Sequence, residues 1–168
     1  RQRAARLAQT IVFTSQGTPF MFAGEEVFRD KKGVHNSYKS PDSINAIDWN
    51  LKHKNSEQFE YYRQLIKLRK EHPAFRMITA DQIARHLVFD EKTDENVISY
   101  TLRDHANGDV WKEIKVVFNG NPKAMEVKVA KGNWTVIAED GRIDADGLGS
   151  SRGGKISVAP TSALILAR

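Results

Sequence analysis

The chain has 168 residues, of which 40% are hydrophobic and 28% are charged, fractions typical of a globular protein rather than a disordered one. Its formal charge of +5 does not predict nucleic-acid binding, because basic residues are interspersed with acidic ones, as in residues 67–71. No apolar run reaches membrane-spanning length, and the lack of cysteine excludes disulfides and thiolate metal sites. The compartment is left open, with an extracellular, periplasmic or surface-anchored location favoured over the cytoplasm.

The first predicted element is a helix over residues 1–16, where apolar side chains recur at the spacing of one helical face. Gly17 supplies the signal that ends it. The sequence starts without Met or an N-cap residue, so we expect it to be a piece of a longer polypeptide.

Residues 18–23 are apolar at nearly every position and are followed at once by Gly24, a pattern typical of a strand covered on both faces of a parallel sheet. Such a strand needs a partner on each side. Alone, we expect residues 1–55 to be disordered, docked differently, or completed by a second copy of the chain.

Two adjacent carboxylates, Glu25 and Glu26, follow this strand at the edge where α/β folds place their active sites. Neighbouring side chains on an extended chain point to opposite faces, so the pair cannot act as acid and base across one substrate. One of them could serve a pocket. The alternative, which we favour, is that they support the loop that follows through hydrogen bonds to the backbone.

The connection over residues 27–55 is long and has no hydrophobic periodicity. Its section 35–45 is rich in amides and hydroxyls and contains Tyr38, the groups that hydrogen-bond sugar hydroxyls and stack on sugar rings. The same residue types also form ordinary turns, so composition leaves recognition and structural roles both open. His35 has no partner at a metal-ligand spacing, and no metal site or cofactor is predicted.

A second helix is predicted over residues 56–72 and ends at Pro73, and Thr79 with Gln82 resembles a capping box. From about residue 87 the hydrophobic period changes to two, which predicts an antiparallel β-sandwich with a boundary near residues 75–86. The predicted strands contain residues 98–102, 114–118, 125–129, 134–136, 156–158 and 164–166. A glycine-rich run around residues 147–154 predicts a turn.

Trp134 opens one of these strands and has two interpretations. It could be a platform for a sugar ring, but an aromatic residue on the inward register of a sandwich is more often part of the core, which we favour.

Several motifs together resemble a known family. Residues 8–20 read AQTIVFTSQGTPF, residues 23–26 read AGEE, and the loop contains HNSY at 35–38, SPDSIN at 40–45 and IDW at 47–49. The chain resembles the C-terminal portion of type I pullulanase, of the α-amylase superfamily (glycoside hydrolase family 13). The first motifs are shared by many α-amylase relatives, whereas the loop motifs point to pullulanases.

The resemblance implies an α/β plus all-β fold, with the last αβα piece of a (β/α)8 TIM barrel followed by an antiparallel β-sandwich C-terminal domain. Residues 1–78 would supply the seventh helix, eighth strand, long loop and eighth helix of the barrel. Residues 79–168 would form the sandwich.

The family hydrolyses α-1,6-glucosidic bonds in pullulan and branched α-glucans with retention of configuration, and its catalytic carboxylates lie after strands four, five and seven. No residue here matches those positions, so the chain alone should be inactive. The loop residues Asn36, Tyr38 and Asp42 match the family's pattern and would border the substrate cleft. Lys39 replaces the Asn or Asp that is common in relatives, which puts a sugar contact at that position in doubt.

The implied partner is a branched α-glucan or pullulan oligosaccharide bound by the parent enzyme, with no nucleic acid and no membrane span. Self-association through the unpaired barrel strand is a further expectation. The competing hypotheses are that the sandwich is an α-glucan-binding module or a purely structural domain.

Overall fold

The computed structural model describes residues 2–168, in which a mostly helical segment is followed by an antiparallel β region. Within these residues the α-helices are α1 (Gln2–Thr14), α2 (Asp42–Asn45), α3 (Asn50–Lys54), α4 (Ser56–Glu71) and α5 (Ala80–His86). The strands are β1 (Leu87–Phe89), β2 (Val97–Leu102), β3 (Ile114–Asn119), β4 (Met125–Val129), β5 (Trp134–Glu139), β6 (Arg142–Ile143), β7 (Gly149–Ser151), β8 (Gly154–Val158) and β9 (Ser162–Ala167). Short 3-10 helices span Glu25–Val27, Pro73–Arg76 and Ala106–Gly108.

Helices α1 and α4 confirm the two amphipathic helices predicted from the sequence, except that Arg1 lies outside the described residues. They pack against each other through a small apolar cluster in which Phe13 meets Tyr61 and Leu65. Arg69 closes the C-terminal end of α1, since its guanidinium donates to the carbonyls of Phe13 at 2.8 Å and Ser15 at 2.7 Å. The first helix is therefore held by both apolar packing and a buried cation.

The strand predicted over residues 18–23 does not form. Phe20 is 82% exposed and Phe22 is 48% exposed, and no strand of residues 2–168 pairs with this segment. An extended chain becomes a sheet strand only when neighbours accept and donate its backbone hydrogen bonds. The described residues contain no parallel neighbours for this segment.

The long connection over residues 27–55 contains more helix than the sequence predicted, since it forms the short helices α2 and α3. Its return to α4 is anchored at Asn55, whose side-chain amide donates to the carbonyl of the fully buried Val27 at 2.9 Å. The predicted capping box at the start of α5 is confirmed. Gln82 N–H donates to Thr79 Oγ1 at 3.2 Å, and Gln82 Oε1 accepts from Thr79 N–H at 3.3 Å.

The β region confirms the predicted antiparallel architecture. The larger sheet has seven strands, six of them in the order β1-β2-β3-β9-β5-β6, with β7 also paired to β5. Strands β4 and β8 form a separate two-stranded sheet. All pairs are antiparallel, and the central pair places Val116 opposite Ile165 and Phe118 opposite Ala163.

The larger sheet is covered on both faces. On one face, residues such as Leu68 and Phe75 from the helical segment pack onto its side chains. On the other, β4 and β8 contribute Val129 and Val158 to a second apolar cluster around Leu166. All six residues of β3 and all six of β9 are consequently buried, although alternation alone predicts strands that are half exposed.

One local prediction differs from the structure, and one short strand was not predicted. The glycine-rich run near residues 147–154 is not only a turn, because residues 149–151 pair with β5 as β7. The short strand β6 also lacks any alternating pattern that would predict it.

Polar contacts join the helical segment to the β region. Tyr100 Oη donates to the carbonyl of Thr14 at 3.0 Å, and Arg6 Nη1 donates to the carbonyl of Gly141 at 2.9 Å. None of the helices in residues 2–168 combines the length and the apolar character needed to cross a membrane.

Candidate functional site

The segment that leads to the candidate site turns at Gly24. Its φ of 98° is left-handed, and a Cβ atom at this position would lie 2.6 Å from Arg29 Cδ. The Gly24 carbonyl accepts from the N–H groups of Val27 at 3.1 Å and Arg29 at 2.8 Å. Only glycine fits both the backbone angle and the close approach of Arg29.

Glu25 and Glu26 both make hydrogen bonds within this region. Glu25 Oε2 accepts from Gln9 Nε2 of α1, and Glu26 Oε2 accepts from the Gly24 N–H, both at 2.9 Å. Burial, assisted by the Glu25 carboxylate, raises the pKa of the nearby Tyr62 phenol. These contacts favour a supporting role over a catalytic one for the two glutamates.

The three predicted site residues lie on the loop before and at the start of α2. Asn36, Tyr38 and Asp42 are all exposed, and Tyr38 retains 75% of its accessible surface. Among the described residues, none of these three side chains makes a hydrogen bond to another residue, so their polar groups are available to a ligand. Lys39 Nζ lies 5.4 Å from the centroid of the Tyr38 ring and covers part of one ring face.

Asn45, which the sequence patterns do not single out as a site residue, organises this loop. Its Nδ2 donates to the carbonyls of Ser37 and Ser40, both at 2.7 Å, and its Oδ1 accepts from Lys31 Nζ at 2.6 Å. The only sequence signal is its position as the last residue of the SPDSIN motif, since a bridging amide cannot be distinguished from a turn residue by composition.

Two cations flank this arrangement. The Arg29 guanidinium donates to the backbone carbonyls of Asn45 and Ala23, and it lies 5.6 Å from the centroid of the Phe22 ring. Lys31 Nζ lies 5.8 Å from the same ring. Desolvation, together with the positive charge of Arg29, lowers the pKa of Lys31.

Trp134 belongs to the core, as favoured from the sequence. The residue is 3% exposed, its Nε1 donates to the carbonyl of Ala130 at 2.8 Å, and the Arg168 guanidinium lies 4.3 Å from its ring centroid. The indole therefore offers no open face to a sugar in this structure. The cavity of about 250 Å³ beside Trp134 is lined mostly by polar and charged side chains, including Asp90, Glu113 and Lys115.

A buried histidine–aspartate pair was missed by the sequence patterns. His72 Nδ1 lies 3.0 Å from Asp109 Oδ1, and the His72 ring stacks on Trp111 with centroids 3.3 Å apart. Burial alone would raise the pKa of Asp109, but the hydrogen bond from His72 and the backbone N–H groups of Trp111 and Ala74 lower it overall. The pair joins the end of α4 to the β region, and both side chains are buried.

Known proteins resemble this chain in both sequence and structure. The family described as "Pullulanase, all-beta domain" matches residues 83–142. The solved structure of pullulanase from Bacillus acidopullulyticus has a TM-score of 0.94 and 40% identity, covering 99% of this chain and 20% of that one. The Bacillus subtilis pullulanase is 46% identical over 121 residues, which are 72% of this chain and 17% of that protein.

In sequence and fold, the chain matches the C-terminal portion of type I pullulanases.

The pullulanase match confirms the resemblance drawn from the loop motifs. A further relative, the Anoxybacillus sp. LM18-11 pullulanase solved in complex with maltotriose, has a TM-score of 0.88 and 38% identity over 100% of this chain and 23% of that one. The chain thus spans about a fifth of the length of the pullulanases it matches. The antiparallel β region corresponds to the pullulanase all-β domain.

Proposed function

We propose that this chain is the C-terminal part of a debranching glycoside hydrolase that cleaves α-1,6-glucosidic bonds in pullulan and branched α-glucans with retention of configuration. The observation that carries the proposal is the 46% identity to the Bacillus subtilis pullulanase over 121 residues. The fold supports it, since the match to the Bacillus acidopullulyticus enzyme extends over 99% of the chain.

In this proposal residues 1–78 complete the edge of a (β/α)8 barrel supplied by the rest of the polypeptide, and residues 79–168 form the accessory sandwich. Helices α1 and α4 would be the seventh and eighth barrel helices. Residues 18–23 would become the eighth strand once a parallel neighbour lies beside them. The exposed apolar side chains of this segment support that assignment, because a strand covered on both faces presents such residues to its neighbours.

The chain itself would contribute no catalytic carboxylate. Retaining glycosidases need two carboxyl groups about 5–5.5 Å apart, one on each side of the scissile bond. Glu25 and Glu26 are adjacent in sequence, and each is engaged by a neighbouring group, Gln9 and the Gly24 N–H respectively. The isolated chain should therefore be inactive.

The contribution of this chain to substrate binding would be the loop that carries Asn36, Tyr38 and Asp42. An exposed aromatic ring beside unpaired amide and carboxylate groups suits the alternating apolar faces and hydroxyls of a glucan. The Anoxybacillus pullulanase, which was solved in complex with maltotriose, supports an oligosaccharide ligand of this type.

The proposal is tested by assaying the complete polypeptide on pullulan and measuring maltotriose release. Release by the complete polypeptide and none by residues 1–168 is the expected result. Activity confined to α-1,4-linked amylose would refute the α-1,6 specificity.

The alternative of a separate α-glucan-binding module was based on Trp134 and on the exposed loop, and the burial of Trp134 leaves only the loop in its support. Titration of the isolated chain with pullulan, followed by tryptophan fluorescence, tests whether the chain is a separate binding module. A saturable change in emission would favour the binding module.

A further inference from the structure

We infer that Asn45 is a positioning residue for substrate binding, which holds Tyr38 in place by fixing both ends of the turn that carries it. The inference rests on the proposed function, because it assumes that the Tyr38 ring contacts the glucan.

The turn is short and is closed on itself. Ser40 N–H donates to the Ser37 carbonyl at 2.9 Å, so Tyr38 and Lys39 occupy its two central positions. The Asn45 amide then donates to the carbonyls of Ser37 and Ser40, both at 2.7 Å. One side chain thereby ties the residues immediately before and immediately after the pair that the turn presents.

Asn45 is itself held from two sides. Its Oδ1 accepts from Lys31 Nζ at 2.6 Å, and its backbone carbonyl accepts from the Arg29 guanidinium. The orientation of the amide is therefore fixed, because rotating it would place Nδ2 against the Lys31 ammonium and Oδ1 against two carbonyl oxygens. Aspartate cannot replace asparagine here, because a carboxylate has no N–H group to donate to the two carbonyls.

Tyr38 depends on this turn because its own side chain is largely exposed. The residue is 75% exposed and, among the described residues, its hydroxyl makes no hydrogen bond that would fix the ring. A ring that must be ordered on binding weakens the affinity by the entropy lost. Fixing the backbone on both sides of Tyr38 removes part of that cost before the sugar arrives.

The test uses the complete polypeptide and compares Asn45→Asp with wild type in pullulan hydrolysis. The substitution keeps the shape and the acceptor for Lys31 but replaces the two donated hydrogen bonds with oxygen–oxygen repulsion. We expect about a tenfold rise in KM with little change in kcat, since the affected contact contributes equally to ground-state and transition-state binding. Asn50→Ala is the matched control, because the exposed Asn50 amide donates only to Asp48.

A double-mutant cycle shows whether Asn45 acts through Tyr38. Tyr38→Ala should raise KM by at least as much as Asn45→Asp, and adding Asn45→Asp to Tyr38→Ala should raise it no further. Additive effects of the two substitutions would overturn the inference.

Limited trypsin digestion reports on the turn without any sugar. Cleavage after Lys39, followed by mass spectrometry, should accelerate in Asn45→Asp and stay at the wild-type rate in Asn50→Ala, with cleavage elsewhere serving as the internal reference. Wild-type cleavage in Asn45→Asp would overturn the inference.

A failure of the proposed substrate role of the loop can be told apart from a failure of the positioning role of Asn45. A wild-type KM in Tyr38→Ala would refute the proposed substrate role of the loop and the inference that depends on it, even where digestion shows a loosened turn. A raised KM in Tyr38→Ala with a wild-type KM in Asn45→Asp would overturn the positioning role alone.

Discussion

Single buried polar side chains join parts of this chain that apolar packing alone would not align. Arg69 is 6% exposed and has backbone carbonyls rather than carboxylates as partners, and desolvation lowers its pKa. Asp109 is fully buried and joins α4 to the β region through His72. At this scale, removing one partner leaves the other unsatisfied, which costs more than the bond itself contributes.

Replacing Arg69 tests this asymmetry. Arg69→Met retains the apolar stem but leaves the carbonyls of Phe13, Ser15 and Gly17 without their donor. We expect the free energy of unfolding to fall by about 3 kcal/mol, measured by urea denaturation. Arg63→Met removes an exposed ion pair on the same helix and should cost below about 1 kcal/mol. Equal losses in the two variants would contradict the role given to Arg69.

The pH dependence of stability tests Asp109. Its pKa in the folded chain is lowered from an ordinary value of 3.8, so its stabilising contribution is present above that value and is lost as the pH falls through the folded pKa. Asp109→Asn should therefore lower stability at neutral pH and reduce the further loss on acidification, measured by urea denaturation from about pH 7 to about pH 3.

Asp146→Asn is the control for this measurement, because that carboxylate is 76% exposed and pairs with Lys67 at the surface. Its acid dependence should match that of wild type. An Asp109→Asn variant with the full wild-type acid dependence would show that another group is responsible.

At the scale of elements, the central strands of the larger sheet are the most deeply buried. Ile165 on β9 is completely buried between the helical layer and the sheet, whereas Ile98 on β2 is 51% exposed. Both are isoleucines on strands of one antiparallel sheet, so their comparison isolates burial from strand propensity.

Truncating these two residues to alanine should lower the free energy of unfolding by different amounts. Ile165→Ala should lower the free energy of unfolding by about 3 kcal/mol, because it removes apolar contact and leaves a cavity. Ile98→Ala should cost below about 1 kcal/mol. The measurement is urea denaturation of both variants. Similar losses of unfolding free energy would mean that burial at the centre of the sheet does not set the cost of truncation.

At the scale of the whole molecule, the chain presents several apolar side chains that are largely exposed. Phe20 and Phe22 lie on a segment that has no strand partner among the described residues, and Trp49 is 64% exposed. An exposed apolar segment with free backbone groups favours association with other chains. In the complete polypeptide the same surface would face the rest of the proposed barrel.

The isolated chain should therefore self-associate, with a mass by sedimentation velocity that rises with concentration. Replacing both phenylalanines, Phe20→Ser and Phe22→Ser, should shift the distribution towards the monomer. The control is Ile78→Ser with Val110→Ser, which removes residues that are 87% and 79% exposed elsewhere. A monomeric wild type, or equal dissociation in the control, would contradict association through residues 18–23.

Local patterns were sufficient for the elements whose partners lie within the chain. The helical periodicity of residues 1–16 and 56–72 and the alternation after residue 87 predicted α1, α4 and the main strands, because each pattern matches one buried face. The Thr79–Gln82 capping box was also predictable, since both of its hydrogen bonds form within four residues. The loop motifs identified the pullulanase resemblance for the same reason, as they are contiguous in sequence.

Only the tertiary structure decided what depends on distant partners. Residues 18–23 have the composition of a buried strand but form none here, because strand formation requires hydrogen bonds from a neighbour that the pattern cannot supply. Similarly, the role of Asn45 in the loop depends on the fold, which places Lys31, Ser37 and Ser40 within hydrogen-bond distance of its amide. The sequence determined which family the chain resembles and which faces are apolar, whereas the fold decided which polar groups meet.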